Sequence, residues 1–546
     1  MRELEKISTG VPSLDTILNG GLPRNSVNVI AGPPGTGKTI LAQQIVFHNA
    51  LHDDRAPCLV TVSEPTVKLL RYQQQFTFFD PDRVGQNVIY LDIGSTLLEG
   101  DLNEVTRQIE EYIKEYSPTI LVIDSFKAIH EVAQDAPRLR EFAYRLAVQL
   151  ITWGTTTLLV GEYTREAINE APIFAVADGI ILLDHESRGM ETYRYLEVLK
   201  MRGDDYFSGR HPFTISADGI TVYPRLKTPA SPAPYPVGET RVSLGVPGLD
   251  EMAQGGVLSA TSTLVAGSAG TGKTLLCLHF LLEGIRKKEP GLLITFQETP
   301  SMLRAFGRGF GWDLEQLEAD GLLRLLYSSP VEMRVDEHAH TIRRAIAEAG
   351  ARRVVMDSLK DIELATPDKV RYKDYIYSLV NDFRREGITS LLTSEIPEMF
   401  GTFVVSEYGI SFVADNVILL RYVEMGGRMG RALSVLKVRG SQHDKAIREF
   451  EITDQGLRIG KPIEAATGVL TGTPVIGERL GWRELEPSER YVMEILRASG
   501  PMTLADVAAT TMIPPDALEP LLGELAECGY LLAYGQGGRR KYKVTV

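Results

Sequence analysis

Two octapeptides, Gly32-Pro33-Pro34-Gly35-Thr36-Gly37-Lys38-Thr39 and Gly267-Ser268-Ala269-Gly270-Thr271-Gly272-Lys273-Thr274, stand 235 residues apart in a chain of 546. Each follows a β-branched run, residues 27–30 and 263–265, and each opens a helical pattern, the second with Leu275, Leu278 and Leu282 on one face. A strand that passes through a glycine-rich loop straight into a helix is strongly constrained. Its glycines let backbone N–H groups curl around anionic oxygens at the positive end of the helix. A tight turn chosen only for its glycines is the alternative for a single loop; two in equivalent context favour phosphate sites. There Gly35, Thr36, Gly37 and Gly270, Thr271, Gly272 cradle the phosphates and Lys38 or Lys273 reaches the terminal ones. Thr39 or Thr274 ligates a divalent ion, so the expected cofactors are ATP and Mg2+.

The rest of the chain repeats in step. Ser8-Thr9-Gly10-Val11-Pro12-Ser13-Leu14-Asp15 answers Ser243-Leu244-Gly245-Val246-Pro247-Gly248-Leu249-Asp250 at the same 235-residue shift. Two apolar runs end in Asp124-Ser125 and Asp357-Ser358, 233 apart, and Leu199-Lys200-Met201-Arg202-Gly203 answers Leu436-Lys437-Val438-Arg439-Gly440, 237 apart. The period is too long for a stacked solenoid, so each copy is a full domain. The expected division is a first domain over 1–226, a proline-rich linker over 227–240, a second domain over 241–460, a connection over 461–483 and a small domain over 484–546. Short strands at 59–62, 120–123 and 157–160, and at 292–296, 353–356 and 389–393, alternate with helical patterns. The expected fold class is therefore α/β: two tandem P-loop domains, each a mainly parallel sheet between helices, with ligands at the carboxyl ends of the strands.

The small domain reads differently. Tyr491, Val492, Ile495 and Leu496 form one helical stripe, Leu504, Val507 and Ala508 a second, and Leu521, Leu522 and Leu525 a third. Tyr530 to Tyr534, a turn at Gly535-Gln536-Gly537-Gly538, and alternating Tyr542, Val544 and Val546 then predict a hairpin. Three helices and a hairpin look like a winged helix, and Pro520 predicts that its third helix begins near that residue.

Hydrophobic content of 44% and charged content of 24% suit a globular chain, and no apolar run approaches the roughly 18 residues of a membrane span. The N-terminus has no signal-peptide core, so a cytoplasmic location is expected. Cys58, Cys277 and Cys528 lack metal-ligand spacing and read as reduced apolar side chains. A net charge of −13 disfavours a protein that coats nucleic acid.

Four kinds of side chain carry the expected chemistry. Asp124 and Asp357 end buried strands, where a carboxylate holds Mg2+ or its water; a helix cap is the alternative. Glu64 and Glu298, at the exit of the second strand, are candidate general bases, with a solvated glutamate as the alternative. Lys200 with Arg202, and Lys437 with Arg439, alternate along strands and so project to one face. Far from their own loops, they suit a role at a neighbour's γ-phosphate, or else are edge-strand charges.

The doubled Gly-Thr-Gly-Lys-Thr loop and the repeated Leu-Lys-x-Arg-Gly strand resemble those of the KaiC family, the cyanobacterial clock ATPase and autokinase. So does the stretch from Leu420-Arg421-Tyr422-Val423-Glu424 through Arg428 and Arg431 to Arg439-Gly440-Ser441-Gln442-His443-Asp444-Lys445-Ala446-Ile447-Arg448-Glu449-Phe450. The resemblance covers the chain to about residue 460, and His443 to Phe450 is its most specific part. It implies two RecA-like domains and a homohexamer of two stacked rings with ATP at subunit interfaces. Hydrolysis is implied to be slow, with autophosphorylation in the second domain. It also implies that Lys200, Arg202, Lys437 and Arg439 contact nucleotide on the next subunit.

This chain departs from the family in two places. Where the family has adjacent glutamates, the chain has Ser63-Glu64 and Gln297-Glu298, which moves the base assignment to the second position of each pair. The family's Ser-Thr phosphorylation pair falls on Ser411-Phe412, and Ser406 occupies the site of a nearby family threonine. Ser411 and Ser406 are the expected acceptors, without an ordered two-residue cycle. In the small domain, residues 514–527 carry four acids and no Lys or Arg, and only Arg539-Arg540-Lys541-Tyr542-Lys543 is basic. A protein partner is expected there ahead of DNA. The rival functions are a nucleic-acid-dependent RecA-like ATPase, marked by nucleic-acid-stimulated turnover, and a nucleotide-gated scaffold with little turnover.

Overall fold

A computed structural model describes residues 4–52, 58–62, 65–99, 101–132, 136–188, 191–226, 240–331, 333–366, 368–396, 413–425, 428–463, 466–467, 475–476, 486–527, 530–535 and 540–544. Glu64, Ser406, Ser411 and Cys528 lie outside the described residues. The chain divides into two compact units: Met1–Tyr235 with Leu326–Ala351 and Asp361–Glu386, and Pro236–Leu325 with Arg352–Lys360 and Gly387–Val546.

Each unit is organised around one strand that is buried along its whole length, Val27–Gly32 in the first and Ser262–Gly267 in the second. A strand buried on both faces is hydrophobic at nearly every position and needs pairing on both edges. Val27–Gly32 pairs in parallel with Thr156–Glu162 on one side and Gly179–Arg188 on the other. Ser262–Gly267 does the same with Thr389–Glu395 and Asn416–Met425.

Among the described residues the first sheet has nine strands in the order Gly219–Val222, Arg210–Ser216, Glu191–Met201, Gly179–Arg188, Val27–Gly32, Thr156–Glu162, Ile120–Asp124, Cys58–Val62, Val88–Asp92. The second repeats it: Leu323–Tyr327, Gly291–Thr295, Arg353–Asp357, Thr389–Glu395, Ser262–Gly267, Asn416–Met425, Arg428–Val438, Arg448–Thr453, Gly456–Pro462. Strands around the loop strand are parallel, and an antiparallel extension begins at Glu191–Met201 and at Arg428–Val438, the strands that carry the Lys-x-Arg pairs. These are the mainly parallel, helix-flanked sheets of tandem RecA-like domains.

Alternation places the core. Ile30, Val122 and Val160 pack on one face of the first sheet with Leu41, Ile45 and Val46 of helix Lys38–His52. Val29, Ile123 and Leu159 pack on the other with Ile109, Leu146 and Leu150. In the second unit Val265, Val355 and Leu391 meet Leu275, Leu278 and Phe280 of helix Lys273–Arg286. Cys58 and Cys277 are buried and not in a disulfide. Among the described residues no helix is long and apolar enough to cross a membrane.

The C-terminal residues form three helices, Pro487–Ser499, Leu504–Thr511 and Pro515–Glu527, against a sheet ordered Met502–Thr503, Lys541–Val544, Leu531–Tyr534. The third helix starts five residues before Pro520, not at it. Asp516 and Pro520 both lie on the exposed side, and the helix runs on through the proline. Tyr491 is also corrected: it is 47% exposed, while Val492 and Leu496 fill the core.

Candidate functional site

Both glycine loops adopt one conformation. Gly35 and Gly270 each have φ +74°, and Gly37 and Gly272 have φ +96° and +101°, the left-handed region that L side chains avoid. Thr36 Oγ1 donates to the Pro33 carbonyl at 2.9 Å, and Thr271 Oγ1 to the Ser268 carbonyl at 2.8 Å. Lys38 Nζ donates to the Pro33 carbonyl at 2.8 Å; Lys273 Nζ donates to the Gly267 and Ser268 carbonyls, both at 2.9 Å. Burial lowers both lysines from their ordinary value. Glu162 and then Asp124 oppose that at Lys38, and Glu395 and then Asp357 oppose it at Lys273. An ammonium held out of water by neutral carbonyls gains when a polyanion arrives.

The metal candidates meet in pairs. Thr39 Oγ1 donates to Asp124 Oδ2 at 2.7 Å and Thr274 Oγ1 to Asp357 Oδ2 at 2.6 Å, across 85 and 83 residues of chain. Each aspartate ends its strand as the first half-buried residue after a buried run. Among the described residues no cluster of three or more His, Cys, Asp or Glu forms a metal cage. A hydroxyl and a carboxylate side by side are the hard oxygen donors that fit a Mg2+ ion bound together with a nucleotide.

Glu298 sits on the short turn between strand Gly291–Thr295 and helix Pro300–Gly309. Thr295 Oγ1 holds that turn by donating to the Glu298 carbonyl at 3.0 Å, and Thr299 caps the helix. The Glu298 carboxyl is raised, first by burial and then by Asp357, which places it near the metal aspartate.

The Lys-x-Arg pairs do not approach their own loops. Lys200 Nζ donates to the Phe174 and Ala175 carbonyls, and Arg202 donates to that same Ala175 carbonyl, each at 3.2 Å. Lys437 Nζ donates to the Ala414 carbonyl at 2.8 Å, and Arg439 pairs with Asp415 at 3.0 Å. Asp178 pairs with Arg202 at 3.6 Å and accepts from Val27 N at 3.0 Å; Asp415 accepts from Ser262 N at 3.1 Å. Both arginines are thus tied to the first residue of the loop strand. The loop starts five residues further on, roughly 16 Å at about 3.3 Å per residue. Lys200 lines a groove of 1360 Å³ on that side of the first unit, large enough for a nucleotide.

Sequence reasoning missed several of these groups. Asp178 and Asp415 are 237 residues apart, the spacing of the Lys-x-Arg pairs, and Glu162 and Glu395 are 233 apart, the spacing of Asp124 and Asp357. Those repeat offsets were the available signal. Thr393 Oγ1, which donates to Asp357, and Tyr422 OH, which donates to the Gly270 carbonyl at 2.7 Å, carried no comparable mark.

The KaiC ATPase family description matches residues 7–227 and again 242–464. Among relatives, the circadian clock oscillator protein KaiC of Picosynechococcus sp. is 31% identical over 489 residues, 87% of this chain and 93% of that protein. The KaiC of Thermosynechococcus vestitus is 32% identical over 487 residues, 86% of this chain and 92% of that protein. The KaiC of Acaryochloris marina is 31% identical over 508 residues, covering 90% and 95%.

Proposed function

The chain belongs to the KaiC family of ATPases and autokinases, and from that premise we propose that it is a nucleotide-driven signalling or timing switch whose two ATP sites are each completed by an adjoining protomer. The observation that carries this reading is the placement of Arg202 and Arg439 at the amino end of their loop strands. That placement is too far from their own loops to reach the γ-phosphate there, which supports a finger supplied in trans over a bare edge-strand charge. The proposed assembly is a homohexamer, with domains over 1–226, 241–460 and 484–546.

Within each site the loop amides and Lys38 or Lys273 bind the triphosphate. Thr39 with Asp124, and Thr274 with Asp357, would hold Mg2+, which would supply charge neutralisation for the transferring phosphoryl group. Glu64 and Glu298 take the proton of the attacking water. Lys200 with Arg202, and Lys437 with Arg439, reach the neighbour's nucleotide. The C-terminal module, with an acidic third helix, binds a protein partner. The nucleic-acid motor is disfavoured by family membership and by the acidic balance.

Glu298 gives a pH test. Its carboxyl is raised, so the ionised form that accepts a proton is lost as pH falls through a value above the ordinary glutamate range. Second-site turnover has its acid limb there, and Glu298→Gln lowers the plateau by about 10²-fold and flattens the limb. An unchanged rate would remove Glu298 as the base.

Autophosphorylation is assigned to Ser411 and Ser406. Phosphopeptide mapping after incubation with ATP and Mg2+ finds phosphate on one or both, and the assignment fails if both stay unmodified.

A further inference from the structure

Glu162 and Glu395 have no role in the mechanism above, yet both sheets put them in the same place. Four strand tips stand side by side in each sheet: Cys58–Val62, Ile120–Asp124, Thr156–Glu162 and Val27–Gly32 in the first, and Gly291–Thr295, Arg353–Asp357, Thr389–Glu395 and Ser262–Gly267 in the second. The glutamate strand therefore lies between the metal aspartate and the phosphate loop. Glu162 is level with Gly32 and Glu395 with Gly267, the residues at which the loops begin. Two residues earlier, on the same face, Val160 is level with Asp124, and Thr393 donates to Asp357.

A simple alternative is that each glutamate is the counter-ion of its loop lysine. Both lysines are bonded to loop carbonyls instead, and among the described residues neither has a carboxylate within ion-pair distance. The glutamates also exert the largest charge effect on those lysines, ahead of the aspartates, in keeping with their position level with the start of each loop. Glu162 is exposed and Glu395 half-buried, so both are accessible to water and ligand.

We propose that Glu162 and Glu395 are catalytic carboxylates that accept a hydrogen bond from the attacking water and align it with the γ-phosphorus. This deepens the ATPase reading and rests on it. In the step, the water oxygen forms a bond to the γ-phosphorus and the bond from that phosphorus to the β,γ-bridging oxygen breaks. ADP leaves with the bond's electrons, and the water proton passes to Glu64 or Glu298. The strand-tip glutamate fixes the water's second hydrogen from the loop side, opposite the base.

The test uses the full chain carrying Lys38→Ala, so that turnover reports the second site, with Glu395→Ala and Glu395→Gln added separately. The expected result is a kcat about 10²-fold lower for Glu395→Ala, a KM within about threefold of the parent, and an intermediate kcat for Glu395→Gln, whose amide oxygen still accepts from water. Glu162 variants in a Lys273→Ala background behave alike. An unchanged kcat overturns the proposal, as does a rise in KM shared equally by the Ala and Gln variants, which marks a counter-ion. An unsubstituted chain with no turnover at all contradicts the ATPase reading itself, which separates the two failures.

Discussion

Replacing Lys38 and Lys273 together by alanine lowers ATP turnover by about 10²-fold or more, and either single variant silences one site only. Both ammonium groups are already oriented by loop carbonyls at 2.8–2.9 Å and already partly desolvated. The cost of removing water from the lysine is thus met in the free protein rather than at binding. A charge-assisted hydrogen bond contributes about 1.5–3 kcal/mol in the ground state, and the charge that builds on the leaving oxygens makes the loss larger in the transition state. Burst-corrected phosphate release from the two singles and the double checks the claim. If the double variant turns over ATP at the wild-type rate, the loops are not the sites of hydrolysis.

Arg202→Ala and Arg439→Ala each lower turnover at one site by about 10³-fold while nucleotide affinity changes far less. Both arginines are largely exposed in their resting pairs. Arg439 is 72% exposed, while its partner Asp415 is buried and also accepts from Ser262 N, a bond that remains when the guanidinium turns away. Arg202 is 57% exposed and its contact with Asp178 is longer, 3.6 Å. Redirecting either guanidinium to a γ-phosphate exchanges one carboxylate partner for a more highly charged one, whereas its absence leaves the transferring phosphoryl charge unmatched. Single-turnover rates at saturating ATP separate the two effects. Equal losses in binding and rate would assign the arginines to ground-state binding.

The loops, their strands and the metal aspartates were legible in the sequence because each is marked locally, by glycines, an apolar run, or an acid at the end of one. The strand-tip glutamates were not. The apolar runs at 157–160 and 389–393 stop two residues short of Glu162 and Glu395, and pairing with the loop strand, rather than hydrophobicity, carries the strands on to their ends. Asp178 and Asp415 were hidden for a related reason. Each works through the backbone N–H of a residue more than 150 positions earlier in the chain, and no local pattern records such a contact. Pro520 misled in the opposite direction, since the helix Pro515–Glu527 runs through it on its exposed side.

The central claim is that each ATP site takes its loop from one protomer and its arginine from the next. Mixing two inactive proteins tests it directly: one carries Lys38→Ala and Lys273→Ala, the other Arg202→Ala and Arg439→Ala. In a ring built from both, roughly a quarter of the interfaces combine an intact loop with an intact arginine, so turnover returns to about that fraction of wild type after subunit exchange. A mixture that stays as inactive as its parents would show that loop and arginine act within one chain, or not together at all.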